Sequence, residues 1–192
     1  MPRESGFTFL ELLFTTALIA TVLSLALPVF SDAIDAQRTA SAARYVAGRV
    51  FLARMEAVKR SASVALKFEK EDGDYAYAGY VDGNANGVRT LDIRTGVDRV
   101  LMEKERLAYN FPGVRFGLMP GVPDADGAPD RSNGDGVRIG SARILTLGAN
   151  GTATAGTLYI HGRQRQYAVR VFGVTGRTRV LRYDATTRKW IG

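Results

Sequence analysis

The sequence predicts an α+β protein in which one long N-terminal helix packs on an antiparallel β-sheet domain. Three observations lead there: an uncharged apolar run near the N-terminus, a helical period that continues beyond it to about Arg60, and a switch to two-residue alternation afterwards.

From Leu12 to Leu27 no residue carries a charge, and from Phe7 to Phe30 Glu11 is the only ionised one. At about 1.5 Å per residue, a helix of this length crosses a hydrocarbon core of about 30 Å. Residues 7–30 are therefore read as a transmembrane or filament-core helix, preceded by a short leader, 1–6. A carboxylate at that depth costs roughly 2.5–3.5 kcal/mol, which makes Glu11 a functional residue by default. Its own short peptide is expected to offer it no partner. Pro28 removes a backbone donor and predicts a kink. Over 31–62, Ala43, Val46, Ala47, Val50, Ala53 and Ala57 recur at steps of three and four, with Arg38, Arg44, Arg54, Lys59 and Arg60 between them. This segment reads as an amphipathic helix continuing into the domain.

The domain, 63–192, opens with Val64, Leu66 and Phe68 alternating with polar residues, then Tyr75, Tyr77 and Gly79 after the turn Asp72-Gly73-Asp74. That pair predicts a hairpin. Further strands are expected at 114–117, 143–147, 157–161, 166–172 and 177–183. The stretch 120–136, with three prolines and four glycines, has neither period and reads as an exposed loop.

There is no cysteine, so disulfides, thiolate nucleophiles and zinc ribbons are excluded. The net charge of +7 is unevenly placed: residues 1–149 balance, and 150–192 hold seven arginines and Lys189 against Asp184 alone. A basic end of this kind attracts anionic partners.

Gly6-Phe7-Thr8-Phe9-Leu10-Glu11, followed by the apolar run, resembles the class III leader of type IV prepilins and type II secretion pseudopilins. An ordinary secretory signal fits less well, because Arg3 is offset by Glu4 and the apolar run is too long. The resemblance implies that a prepilin peptidase cuts after Gly6 and that Phe7 is N-methylated. It also implies that Glu11 meets the amino group of a neighbouring subunit in the filament. Downstream, the segments 52–60, 80–87 and 147–158 and the pair Gly176-Arg177 resemble the GspH/FimT branch. The tryptophan that branch often carries near the end of its second strand is absent, and Trp190 is the only one.

The branch implies a pilin-like fold and a minor pseudopilin or minor pilin acting in filament initiation or tip assembly, and so in protein secretion. Its partners would be the peptidase, other pilins or pseudopilins and an inner-membrane assembly platform. The chain would cross the bacterial inner membrane once, with its C-terminal domain in the periplasm. The alternatives are a FimT-like pilin that binds DNA during uptake, and an unrelated membrane-anchored binding domain.

Two Gly-Arg-x-Arg tetrads, 162–165 and 176–179, are candidate contacts for that DNA. In extended backbone each would present its arginine pair, Arg163 with Arg165 and Arg177 with Arg179, on one face about 6–7 Å apart. Asp82, Asn84 and Asn86 fit the first half of a calcium loop, but Ile93 stands where its bidentate glutamate belongs, so no metal is favoured. His161, the only histidine, lies in an expected strand and reads as structural. No phosphate loop, serine elbow, HExxH or dinucleotide fingerprint is present, and neither a cofactor nor enzymatic activity is expected.

Overall fold

The computed structural model describes residues 8–129 and 133–192, without the side chains of 25–29. Gly6 and Phe7, the expected processing residues, lie outside the described residues. The chain forms two compact units, Met1–Ile34 and Asp35–Gly192, and helix α1 (Phe9–Arg60) contributes to both.

In the first unit, Phe9, Leu10, Leu12, Leu13, Phe14, Leu18, Ile19, Val22 and Leu23 are all at least half exposed. The hydroxyls among them turn inward to the helix: Thr16 donates to Leu12 O at 2.9 Å, Thr21 to Ala17 O at 2.8 Å and Ser24 to Thr21 O at 2.7 Å. Satisfying a hydroxyl on the helix's own carbonyl lowers the cost of placing it in apolar surroundings. Among the described residues, no helix is long and apolar enough to cross a membrane. The expected span 7–30 includes Phe7 and the side chains of 25–29, which are not described, and α1 runs through Pro28.

In the second unit, α1 lays Ala42, Ala43, Val46, Val50, Ala53 and Ala57 into the core, each at most 1% exposed. Small side chains along one helical face allow a close approach to the sheets. A four-stranded sheet has the order β3-β2-β1-β6, with β1 Val64–Glu71, β2 Asp74–Val81, β3 Arg99–Arg106 and β6 Ile144–Leu147. A second sheet has the order β10-β9-β8-β7-β4, with β5 also on β7; it comprises β4 Arg115–Phe116, β5 Val137–Arg138, β7 Gly156–His161, β8 Gln166–Val171, β9 Thr178–Asp184 and β10 Lys189–Ile191. Every pairing is antiparallel. Short helices α2 (Thr90–Thr95) and α3 (Leu107–Asn110) flank β3.

The β1–β2 hairpin closes through Asp72 and Gly73, both at positive φ, a two-residue turn whose twist matches that of the strands. The second sheet is packed on both faces. Leu158, Ile160, Val169 and Val171 join the main core with α1, while Tyr159, Ala168 and Leu181 join a smaller one with Leu118 and Val122.

That smaller core corrects the expectation of a plainly exposed loop over 120–136. The described residues of the segment lack a helix or strand until β5, but its first half is strapped across the sheet. Val122 is buried, Ala125 N donates to the Tyr159 hydroxyl at 3.0 Å, and the Trp190 indole N–H donates to Pro123 O at 3.0 Å. Apolar and hydrogen-bonding surface on β7 and β10, remote in sequence, holds the strap down.

Candidate functional site

Glu11 has a partner within its own peptide, contrary to the sequence expectation. Thr8 precedes the first turn of α1, and its hydroxyl accepts from Glu11 N at 3.2 Å. In return, the Glu11 carboxylate accepts from Thr8 N at 3.4 Å and from the Thr8 hydroxyl at 3.5 Å. This is the reciprocal capping arrangement of a Thr-x-x-Glu sequence, which satisfies two otherwise orphaned amides at a helix start. Both reverse contacts are long, so the exposed carboxylate keeps acceptor capacity for a further donor.

The two tetrads differ. Residues 162–165 form the turn between β7 and β8, closed by Gly162 N donating to Arg165 O at 3.0 Å, so the expected extended backbone with both arginines on one face is not observed. The reason is an anchor on α1: the Asp35 carboxylate, only 8% exposed, accepts from Arg163 N at 3.1 Å and from Gln164 N at 3.2 Å. Gly162 fits because a Cβ there would stand 2.3 Å from Thr39 Oγ1 and 2.7 Å from Asp35 Oδ1. The turn is thus a structural attachment, with the side chains of Arg163 and Arg165 outward.

The second tetrad keeps the alternation. Gly176, at positive φ, ends the β8–β9 turn, and Arg177 and Arg179 are both exposed. In the register of β8 with β9, Arg170 stands directly opposite Arg179, two residues from the Ala168–Leu181 pair of the smaller core. Strand alternation therefore places Arg170 and Arg179 on the strapped face. The strap carries carboxylates to it: Asp124 pairs with Arg138 at 2.7 Å, and Asp126 pairs with Arg170. Arg138 also stacks over the Tyr159 ring, 4.8 Å from its centroid.

On its other side, Arg177 borders a cleft of about 440 Å³ lined with Phe51, Arg54, Gly176 and Thr178. Arg54 donates to Gly151 O at 3.2 Å and ties α1 to the β6–β7 loop.

The Asp82-to-Gly87 segment forms a closed polar turn. Asp82 accepts from Asn84 N at 3.1 Å and Gly87 N at 2.7 Å, and Asn86 donates to Asp92 at 3.0 Å. The carboxylate lone pairs that a cation needs are turned to backbone amides, the arrangement of an Asx turn. Among the described residues, no cluster of metal-ligating side chains is present. His161, at the end of β7, places Nδ1 2.8 Å from Gly162 O.

No family model matches the chain, and no solved structure matches it. It is similar to the pilin-like protein PilA1 of Thermus thermophilus, with 42% identity over 84 residues that cover 42% of this chain and 50% of the relative. The chain therefore spans about half the length of the curated relative it matches. The fold agrees with that likeness: a helix followed by an antiparallel sheet domain is α+β and consistent with a pilin-like architecture.

Proposed function

We propose that the chain is a minor pseudopilin or minor type IV pilin, cleaved after Gly6 by a prepilin peptidase and methylated at Phe7. In this reading it is held in the bacterial inner membrane by its apolar helix, with the domain in the periplasm. An assembly platform then moves it into a filament, where it acts at initiation or at the tip and so in protein secretion. It is a structural subunit rather than an enzyme, and Pro28 supplies a kink in the helix. The observation that carries the reading is the similarity to a pilin-like protein. The large apolar side chains of residues 9–23, each at least half exposed, support it.

Burying one large apolar side chain contributes about 1.5–3 kcal/mol, so lateral packing of such helices has a large driving force wherever water is the alternative. Glu11 supplies selectivity. Thr8 holds its carboxylate at the helix start, and the free amine of a neighbouring subunit adds a charged donor. Glu11→Ala is expected to leave the chain membrane-bound while abolishing its incorporation into filaments, measured by immunoblotting sheared filaments and membranes. Normal incorporation would reject the charge pairing.

A nucleic-acid reading has one specific observation in its favour: Arg177 and Arg179 are exposed, and Arg179 lies on the face that also carries Arg170. Guanidinium groups suit phosphates through planar paired hydrogen bonds. In this second reading the subunit is a pilin that also captures DNA.

A further inference from the structure

The opposed arginines of β8 and β9 carry a consequence for the strap. Arg170 and Arg179 are direct cross-strand partners, and like charges so placed repel each other. Arg177 adds a third cation two residues from Arg179. Such a cluster calls for an anion, and the chain supplies one: Asp126, whose side chain is 72% exposed, reaches back over the sheet to Arg170. Among the described residues, Arg179 has only a long contact of its own, 3.4 Å from Nη2 to Gly192 O.

We propose that the Asp126 carboxylate is an intramolecular competitor for a phosphodiester-binding site formed by Arg170 and Arg179, with Arg177 at its border. The inference rests on the nucleic-acid reading of the second tetrad and deepens it. Asp126 sits at the tip of an anchored strap. Asp124 on Arg138, Ala125 on Tyr159, and Trp190 on Pro123 fix the residues before it. Its carboxylate can therefore leave Arg170 by a side-chain rotation and a small movement at Gly127, with Val122 and Leu118 remaining buried. An ion pair with so exposed a carboxylate is weakened by solvent and screened by salt, although the Arg170 side chain is itself only 27% exposed, whereas a backbone of successive phosphates engages several arginines at once and releases counterions. Arginine throughout, without lysine, favours phosphate recognised by direction as well as charge. Asp126 thus sets a threshold, passing a polyanion and rejecting an isolated monovalent anion.

The test uses the full chain in detergent and fluorescent single-stranded and duplex oligonucleotides, titrated over a range of salt. Wild type, Asp126→Asn, Arg170→Ala, the Asp126→Asn/Arg170→Ala double variant and the Arg177→Ala/Arg179→Ala double variant are compared. Asp126→Asn is expected to tighten binding about 3- to 10-fold at low salt, with a log–log salt slope steeper by about one. Arg170→Ala should cancel that gain, and the Arg177→Ala/Arg179→Ala variant should lose binding. Because Asp126 is exposed, the substitution leaves no buried hole, and unchanged circular dichroism would verify the fold.

If wild type binds and Asp126→Asn binds no tighter, the competitor is refuted while the nucleic-acid reading stands. A gain that persists without Arg170 also refutes it, because net charge alone would then explain it. If neither protein binds, or if only anionic lipid vesicles are bound, the nucleic-acid reading falls and the competitor with it.

Discussion

Replacing Asp35 with alanine removes the carboxylate that holds the β7–β8 turn to α1. Two backbone amides, those of Arg163 and Gln164, lose their acceptor, while Thr39 keeps its own bond to Asp35 O at 2.7 Å. A hydrogen bond to a charged group contributes about 1.5–3 kcal/mol. Residues 163 and 164 are exposed, so water rehydrates both amides and the lower end applies to each. The sum is about 3 kcal/mol, or roughly 6–12 °C in unfolding midpoint at about 2–4 °C per kcal/mol for a unit of this size. Asp35→Asn keeps one carbonyl acceptor without the charge and should lose about half as much. The assay is thermal unfolding of the full chain in detergent, followed by circular dichroism. A fall of less than about 2 °C for Asp35→Ala, or equal falls for the two variants, would refute the argument that a charged acceptor carries this attachment.

Gly162→Ala should destabilise by about 1–3 kcal/mol, because its Cβ would collide with Thr39 Oγ1 and the Asp35 carboxylate; chemical denaturation measures it, and a neutral effect would mean that the turn shifts freely. Tyr75 and Asp135 predict a dependence on pH. The Tyr75 hydroxyl donates to Asp135 at 2.6 Å, and burial, then that carboxylate, push the phenol up to about 12. Its contribution is complete below the ordinary phenol value of about 10 and is lost as pH rises through about 12. For Asp135, burial pulls upward, but Tyr75, the Val137 amide and Arg143 outweigh it and hold the carboxyl below its ordinary value. Its contribution is complete above the ordinary carboxylate range and is lost as pH falls through the lowered value. Tyr75→Phe should therefore flatten the alkaline arm of a profile of unfolding midpoint against pH, and an unchanged arm would exclude this pair as its source.

Strands with one or both faces in apolar surroundings were legible in the sequence. Residues 157–161, 166–172 and 177–183 read as strands, and β7, β8 and β9 lie within one residue of those bounds. Alternation is a local signal, and burial on a sheet face enforces it. β3 left no such signal, because it is an edge strand with Glu103 and Lys104 exposed and its pairing with β2 shifts register near Gly79. The capping partner of Glu11 is local and is encoded in Thr-x-x-Glu, a helix-start pattern independent of the apolar run that follows it. The attachments of the candidate site were not legible for a different reason. Asp35 meets its partners 128 and 129 residues away, and Asp126 meets Arg170 44 residues away. Carboxylates in a stretch rich in glycine and proline carry the same local pattern whether water or a remote guanidinium neutralises them.

The same distinction bears on how α1 is held within the unit Asp35–Gly192. Four of the six apolar side chains it buries to 1% exposure or less are alanines, each contributing far less transfer free energy than a leucine would. Close approach and the valines at 46 and 50 make up part of the difference. The rest falls to polar attachments along the helix: Asp35 to the β7–β8 turn, Arg49 and Tyr45 to Glu105 of β3 at 2.7 and 2.8 Å, and Arg54 to the β6–β7 loop. These reach different elements of both sheets, so losing one leaves the helix seated but detaches one turn from it. An Asp35 substitution should accordingly release amide-exchange protection at residues 162–165 and leave 45–54 protected, whereas uniform loss along the helix would show that the apolar face, and not the attachments, holds it in register.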